Sequence, residues 1–296
     1  MPITATSCRL LKKIRDEKFD EDRIDSYNLA LLTGPRDLQV MVYDPQNLQA
    51  LWLEDYVFPS AHDNDGWLAS LQELFDQHPF ISAGFWKKII IGVKTTVFVH
   101  HPESLFSEAD AATCLGLSAA IHADEEVHTF HTPAHNMVTS FALPVSVKNW
   151  FTSAYPGNRP CFVHQSCALI EGTLQESPGY PDAPLYIYVD RFRLHILAAD
   201  RSGLRYYNQF AIQNFNDYIR YIMLVMHTLH IDQRTSRVIM WGYVGKNSPH
   251  YQEFYKYIRT ITYGNRPEFL RYGYVFDEVQ EHQYFDVLNM ARLPVG

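Results

Sequence analysis

No stretch of this chain is apolar for the roughly 20 residues that a bilayer-spanning helix needs, so membrane insertion is not expected. The first 25 residues are charged rather than apolar, which argues against a signal peptide. Cysteine is scarce. Cys8, Cys114, Cys161 and Cys167 form no CxxC pair and no regular framework, which fits a reducing, cytoplasmic setting. Positive charge is also short, with a formal net charge of -8. The one basic run, "RLLKKIR" (9–15), leads straight into "DEKFDEDRID", so a nucleic-acid partner is disfavoured and the stretch reads as a solvated arm or short helix. GxSxG, P-loop and GxGxxG motifs are absent, which removes support for hydrolase-triad, P-loop and Rossmann chemistry.

Aromatic residues, in contrast, make up 14% of the chain, with 19 Tyr, 18 Phe and 5 Trp. Such side chains fill cores or build interaction surfaces. The 296 residues suffice for one large domain or two ordinary ones.

The main organising signal is internal. Residues 29–48, "LALLTGPRDLQVMVYDPQNL", align without a gap on residues 185–204, "LYIYVDRFRLHILAADRSGL". Each segment alternates apolar and other residues around a tight turn, as a β-hairpin does. Asp44 meets Asp200, Asn47 meets Gly203 and Leu48 meets Leu204, in turn sequences where Asn or Gly suits a positive φ. A third strand follows each hairpin (48–53 and 204–212). An amphipathic helix comes next: 65–78, with Asp65 as N-cap, and 214–230. A short buried strand ends each unit, at 88–92 and 237–242.

The remainder reads as decoration. Helices are expected at 103–117, 144–157 and 248–261, and strands within 134–144 and 159–172. The segment "IGVKTTVFVHH" (91–101) reads as a continuing strand. The expected organisation is a charged arm (1–26), a first half (27–175), a Pro- and Gly-rich linker (176–184) and a second half (185–296) closing in a C-terminal helix.

A doubled β-β-β-α-β-α unit resembles the actin-like ATPase superfamily, which includes sugar kinases, 70-kDa heat-shock chaperones and the pilus assembly protein M. "RYGYVFDEVQEHQYFDVLNMARL" (271–293) and "FVHQSCALIEG" (162–172) are similar, more specifically, to a bacterial family of unknown function, domain of unknown function 3822. The resemblance implies an α/β fold: a duplicated actin-like (ribonuclease H-like) architecture of two halves around a central cleft. It also implies that a nucleotide would lie in that cleft, its phosphates held by the two hairpin turns.

Phosphate binding calls for glycines, backbone N–H groups and small hydroxyls, and a magnesium ion calls for a carboxylate. The first turn offers Thr33, Gly34, Arg36 and Asp37, although Pro35 removes a donor. The second offers Asp190, Arg191 and Arg193, but Phe192 stands where the superfamily's Asp-x-Gly would place glycine. The base-side loop, "WGYVGKNSPHYQEF" (241–254), splits its glycines into Gly242 and Gly245, with Tyr243 between them.

Two of three loops therefore depart from what ATP chemistry requires. The leading expectation is a non-catalytic scaffold or interaction module with an unidentified protein partner, no resident cofactor and a vestigial anion cleft at these residues. The alternative is an ATP- and magnesium-dependent enzyme or switch of the superfamily. A third reading places a metal in "HADEEVHTFHTPAH" (122–135), at His122, His128, His131 and His135. Pro133 breaks their common helix face, and the segment reads as a solvated loop entering a strand. Cys161, His164 and Cys167 read as strand residues, with both thiols on one buried face. Asp277, Glu278 and His282 are read as closing the fold, within a strand followed by a helix.

Overall fold

The computed structural model describes residues 8–59, 61, 63–245 and 249–295. Residues 1–7 of the N-terminal arm, positions 60 and 62 within "FPSAHDNDG", and 246–248 of the 241–254 loop, where the helix expected at 248–261 would begin, lie outside them. The chain divides into two compact units. The first comprises residues 1–167, 269–276 and 290–296, and the second 168–268 and 277–289.

The first unit is built on a six-stranded sheet of order β1-β4-β3-β2-β5-β9. These strands are β1 (Arg9–Arg15), β2 (Asn28–Gly34), β3 (Asp37–Asp44), β4 (Gln49–Val57), β5 (Lys88–Val93) and β9 (Cys161–His164). A second sheet, order β6-β8-β7, holds β6 (Phe98–Pro102), β7 (Glu125–Thr132) and β8 (Met137–Pro144). Helices α1 (Asn64–Gln77), α2 (Ala111–Ser118) and α3 (Val145–Ala154) belong to the same unit. α4 (Gln165–Glu176) runs across the division at Cys167.

The second unit has a five-stranded sheet of order β12-β11-β10-β13-β14. Its strands are β10 (Leu185–Val189), β11 (Arg193–Asp200), β12 (Gly203–Ala211), β13 (Val238–Gly242) and β14 (Ile261–Tyr263), with α5 (Phe215–Thr228), α6 (Pro249–Tyr257) and α7 (Phe285–Asn289).

The hairpin correspondence appears as equal register. Leu29 pairs with Val42 as Leu185 pairs with Ala198, and Thr33 pairs with Leu38 as Val189 pairs with Leu194. β5 then joins β2 in parallel, as β13 joins β10. Even the β-bulge recurs, between Val42 and Tyr43 and between Ala198 and Ala199. The gapless alignment stops at Asp44 and Asp200. Asp44 pairs with Gln49 across four residues, whereas Asp200 pairs with Gly203 across two. Gln49 is therefore the counterpart of Gly203. The positive φ of the first turn falls on Leu48 (51°) rather than on Asn47, and that of the second on Gly203 (124°).

Residues 9–15 are a strand, not a solvated arm or helix. β1 pairs antiparallel with β4, from Arg9 opposite Val57 to Arg15 opposite Trp52. Its charges suit an edge strand, whose outer side discourages further pairing. Lys13 reaches inward to the buried Glu54 (Nζ–Oε1 3.0 Å) and lies 4.5 Å from the Trp52 ring centre. The other Glu54 oxygen accepts from the Tyr56 hydroxyl (2.8 Å) and lies 2.7 Å from His78 Nε2. Burial pushes the Glu54 carboxyl up. The hydrogen bond and charge from His78, then the bonds from Tyr56 and Lys13, outweigh it and leave the group below its ordinary value.

Several boundaries differ from the expectation. α1 is capped by Asp63, whose carboxylate accepts from Gly66 N (2.8 Å), rather than by Asp65. The 91–101 segment does not continue as one strand: β5 ends at Val93 and β6 begins in the other sheet. The 103–117 helix is two single 3-10 turns and then α2. The 159–172 strand is the four-residue β9 followed at once by α4. "YVFDE" (274–278) is a 3-10 turn, not a strand.

Much of the aromatic content fills cores. Phe75 meets Trp150, Phe151 and Tyr155 edge-on between α1 and α3, and Phe254 of α6 meets Phe215 and Tyr218 of α5. Trp241 is buried and stacks on Phe285 of α7 at 4.0 Å. No helix among the described residues is long and apolar enough to cross a membrane.

Candidate functional site: two hairpin turns

In the first hairpin, β2 and β3 close through Gly34 opposite Asp37, leaving Pro35 and Arg36 as the turn. The groups expected to meet a phosphate are engaged within the unit. Asp37 is 1% exposed and accepts from Lys94 Nζ at 2.7 Å, with the Lys94 side chain buried as well. Thr33 donates its hydroxyl to the Asp37 carbonyl (3.1 Å) and accepts from the Trp67 indole N–H of α1 (3.0 Å). Lys94 N–H continues the parallel ladder to the Thr33 carbonyl (2.8 Å).

Gly34 packs closely against this pair. A Cβ there would lie 3.0 Å from Lys94 Cβ and 3.6 Å from Asp37 Oδ1. Arg36 is exposed, and its carbonyl accepts from Phe58 N–H (2.8 Å). The Asp37 carboxylate, the group suited to a magnesium ion, thus faces an internal ammonium.

In the second hairpin Val189 pairs with Leu194 and Asp190 N–H donates to the Arg193 carbonyl (2.9 Å). Arg191 and Phe192 are the central turn residues. By register Asp190 is the counterpart of Gly34, and Arg193 of Asp37. Phe192 is half-buried and has no positive φ. The Asp190 carboxylate is 3% exposed and accepts from Arg191 N–H (2.7 Å). Arg193 Nη1 donates to Gln209 Oε1 (3.3 Å). Burial, and then the Asp190 charge, push the Tyr218 hydroxyl of α5 above its ordinary value.

The loop after β13 lies directly against this turn. Gly242 has φ 102°, and a Cβ there would fall 2.1 Å from the Val189 carbonyl oxygen. Its N–H donates to the His282 carbonyl (2.8 Å), Tyr243 N–H donates to the Val189 carbonyl (2.8 Å), and His282 Nε2 lies 2.9 Å from the Val244 carbonyl. His282 is therefore the clamp that ties the tail to this loop. Tyr243 carries the Arg191 guanidinium over its ring at 4.1 Å and meets Tyr284 edge-on. Gly245 has open space where a side chain would start.

The family model described as "Protein of unknown function (DUF3822)" matches residues 16–261. The chain belongs to this family. No curated protein matches it. Among solved structures, a protein with actin-like ATPase fold and unknown function from Bacteroides thetaiotaomicron VPI-5482 is similar with a TM-score of 0.78 at 19% identity, over 93% of this chain and 98% of that one. The PilM-PilN type IV pilus biogenesis complex is similar with a TM-score of 0.57 at 10% identity, over 91% of this chain and 98% of that one. The family member described here has the actin-like ATPase fold.

The other expected constellations separate from the turns. The histidine segment is mostly strand rather than loop: β7 carries His128 and His131, three apart and so on opposite faces. His128 Nε2 lies 2.7 Å from Glu126, and His131 Nδ1 lies 3.6 Å from Glu103. Among the described residues no three His, Cys, Asp or Glu side chains converge as metal ligands. Asp277 is exposed, with Arg266 3.9 Å away.

Cys161 ends up on β9 and Cys167 on α4, so the single-strand reading of this pair fails. Burial pushes the Cys167 thiol up to about 11. It donates to Thr139 Oγ1 (3.4 Å), which also lies 2.9 Å from His100 Nδ1. His164 Nδ1 lies 2.6 Å from Ser166 Oγ, and its ring stacks on Phe98. Burial, with His164 and His101 nearby, pushes His100 down to about 3.

That shift fixes a pH dependence. His100 stays neutral in the fold, whereas an unfolded histidine binds a proton near about 6.5. Between those values the unfolded state holds more protons, so stability rises with pH across the window. Urea midpoints are expected to fall as the solution is taken from about pH 7 to about pH 4, with a shallower fall in His100→Gln. Parallel slopes in the two proteins would show that His100 does not titrate this way.

Proposed function

We propose that this chain is a non-catalytic member of the actin-like fold: a scaffold or protein-interaction module, working in the cytoplasm, whose hairpin turns no longer serve ATP turnover. The observation that carries the reading is the buried Lys94–Asp37 pair at the first turn. A carboxylate suited to hold magnesium is there neutralised by the chain's own lysine, and the hydroxyl of Thr33 is taken by Trp67 and Asp37.

The second turn supports the same reading. Its Asp-x-Gly glycine is Phe192, and Tyr243 under the Arg191 guanidinium stands at the base-side loop. The four free cysteines agree with a reducing compartment. A similar solved structure is the PilM-PilN type IV pilus biogenesis complex, an assembly of proteins, and this likeness supports a role in association. Titration of the intact chain with Mg-ATP and Mg-ADP, with Arg36→Ala as control, tests the proposal.

A further inference from the structure

The first unit contains a cavity of about 420 Å³ whose lining includes Lys18, Arg23 and Arg271. It lies at the Asp44 end of β3. The hairpin turn begins at Asp37, at the other end of that strand, roughly 24 Å away at about 3.4 Å per residue. The cavity is thus separate from the first hairpin turn.

Three segments far apart in sequence bring the cations together. Lys18 follows β1, where its N–H donates to Asp16 Oδ1 (2.9 Å). Arg23 sits in the 3-10 turn Glu21–Ser26, its carbonyl accepting from Ser26 Oγ (2.7 Å). Arg271 is stitched to the start of β4: its N–H donates to the Leu48 carbonyl (2.6 Å), and its carbonyl accepts from Ala50 N–H (2.9 Å). The backbones are fixed and all three side chains are exposed. None of the three forms an ion pair among the described residues.

The lining contains one acid, Asp44, whose carboxylate is hydrogen-bonded within its own loop. Its Oδ1 accepts from Gln46 N–H (2.8 Å) and Asn47 N–H (3.3 Å), and its Oδ2 from the Asn47 amide (2.7 Å). Burial pushes the Asp44 carboxyl up, but these bonds, with the Arg23 charge, bring it below its ordinary value. The lining therefore carries three positive charges and one negative, a local excess of two in a chain of net charge -8. Three like charges around one concavity repel each other, and a bound anion relieves that repulsion. Arginine forks match carboxylate and phosphate geometry, and the volume falls in the range of about 300–1,000 Å³ typical of small-ligand sites.

We infer that this cavity binds a small polyanion, a molecule of metabolite size carrying at least two phosphate or carboxylate charges. Pyrophosphate and citrate are the probes, titrated separately into the full chain in low salt. Saturable one-to-one binding of pyrophosphate assigns a phosphate ligand, and of citrate a carboxylate ligand. Either is expected to weaken roughly tenfold or more in Arg271→Ala and in Arg23→Ala, as loss of a charge-assisted bond implies. Arg205→Ala, at an exposed pair with Asp200 in the second unit, leaves the affinity unchanged. Arg271→Lys, with the charge kept, retains part of the affinity and guards against a folding artefact, as does an unshifted urea midpoint in each variant. No saturable heat from either probe, or binding equal in wild type, Arg23→Ala and Arg271→Ala, overturns the inference.

Discussion

Gly242→Ala is expected to destabilise the chain by ~3 kcal/mol or more. Two independent constraints act at this residue. Its φ of 102° is one that side-chain-bearing residues rarely adopt. An added Cβ would also meet the Val189 carbonyl oxygen at 2.1 Å, and the adjacent carbonyl carbon at 2.7 Å. That oxygen cannot move freely, because it accepts from Tyr243 N–H within the same loop. Gly242 N–H is fixed to the His282 carbonyl, so relaxation would also strain the tail. Urea unfolding followed by tryptophan fluorescence reads the effect, and Trp241 is a neighbouring reporter. Gly245→Ala is the control, since a Cβ there meets nothing within 4 Å. Equal costs for the two variants would refute the close approach.

The second large effect is expected at the Lys94–Asp37 pair. With 5% and 1% of their side chains exposed, neither charge has much access to water. Removing one partner takes the opposite charge away from a buried group, at a cost of about 3–5 kcal/mol. Lys94→Met and Asp37→Leu are each expected to show that loss in urea unfolding. The double variant should recover most of it, because two apolar side chains leave no buried charge. A double variant as unstable as the sum of the singles would mean that the pair is not the coupled unit described here.

How much of this was legible beforehand differs by element. The two hairpins were, because Leu29–Leu31–Leu38–Val40 and Leu185–Ile187–Leu194–Ile196 alternate at the strand period, and their shared register follows from tight turns. The continuation into β4 and β12 was legible only to Asp44 and Asp200. Beyond them the turns differ by two residues, which a gapless comparison cannot register. β1 was hidden by its charge: Lys12, Lys13 and Arg15 make an edge strand look like a solvated arm. In "CFVHQSCALIEG" the apolar run carries no period that separates a four-residue strand from the helix after it.

The turn residues themselves were also legible, as a Gly- and Arg-bearing pair of loops on hairpins. Their state was not. Lys94 is 57 residues from Asp37, and Trp67 is 34 residues from Thr33. The one sequence clue was a lone lysine closing the apolar strand "IIIGVK" (89–94). Tyr243 was visible as a residue of the 241–254 loop, but its contact with Arg191 depends on where β13 ends against β10. The basic cavity draws on residues 18, 23 and 271, and only the pairing of Arg271 beside Gln49 brings the last of these in.

The most direct test of the closed hairpin turns is isothermal titration of the intact chain with Mg-ATP, run on wild type, Arg36→Ala and Arg271→Ala. Arg36 reports on the first turn, and Arg271 on the basic cavity, which could itself take a polyphosphate. The account predicts no binding that depends on Arg36. Any heat that appears should persist in Arg36→Ala and weaken roughly tenfold or more in Arg271→Ala. Micromolar binding to wild type that is weakened in Arg36→Ala and kept in Arg271→Ala would contradict it.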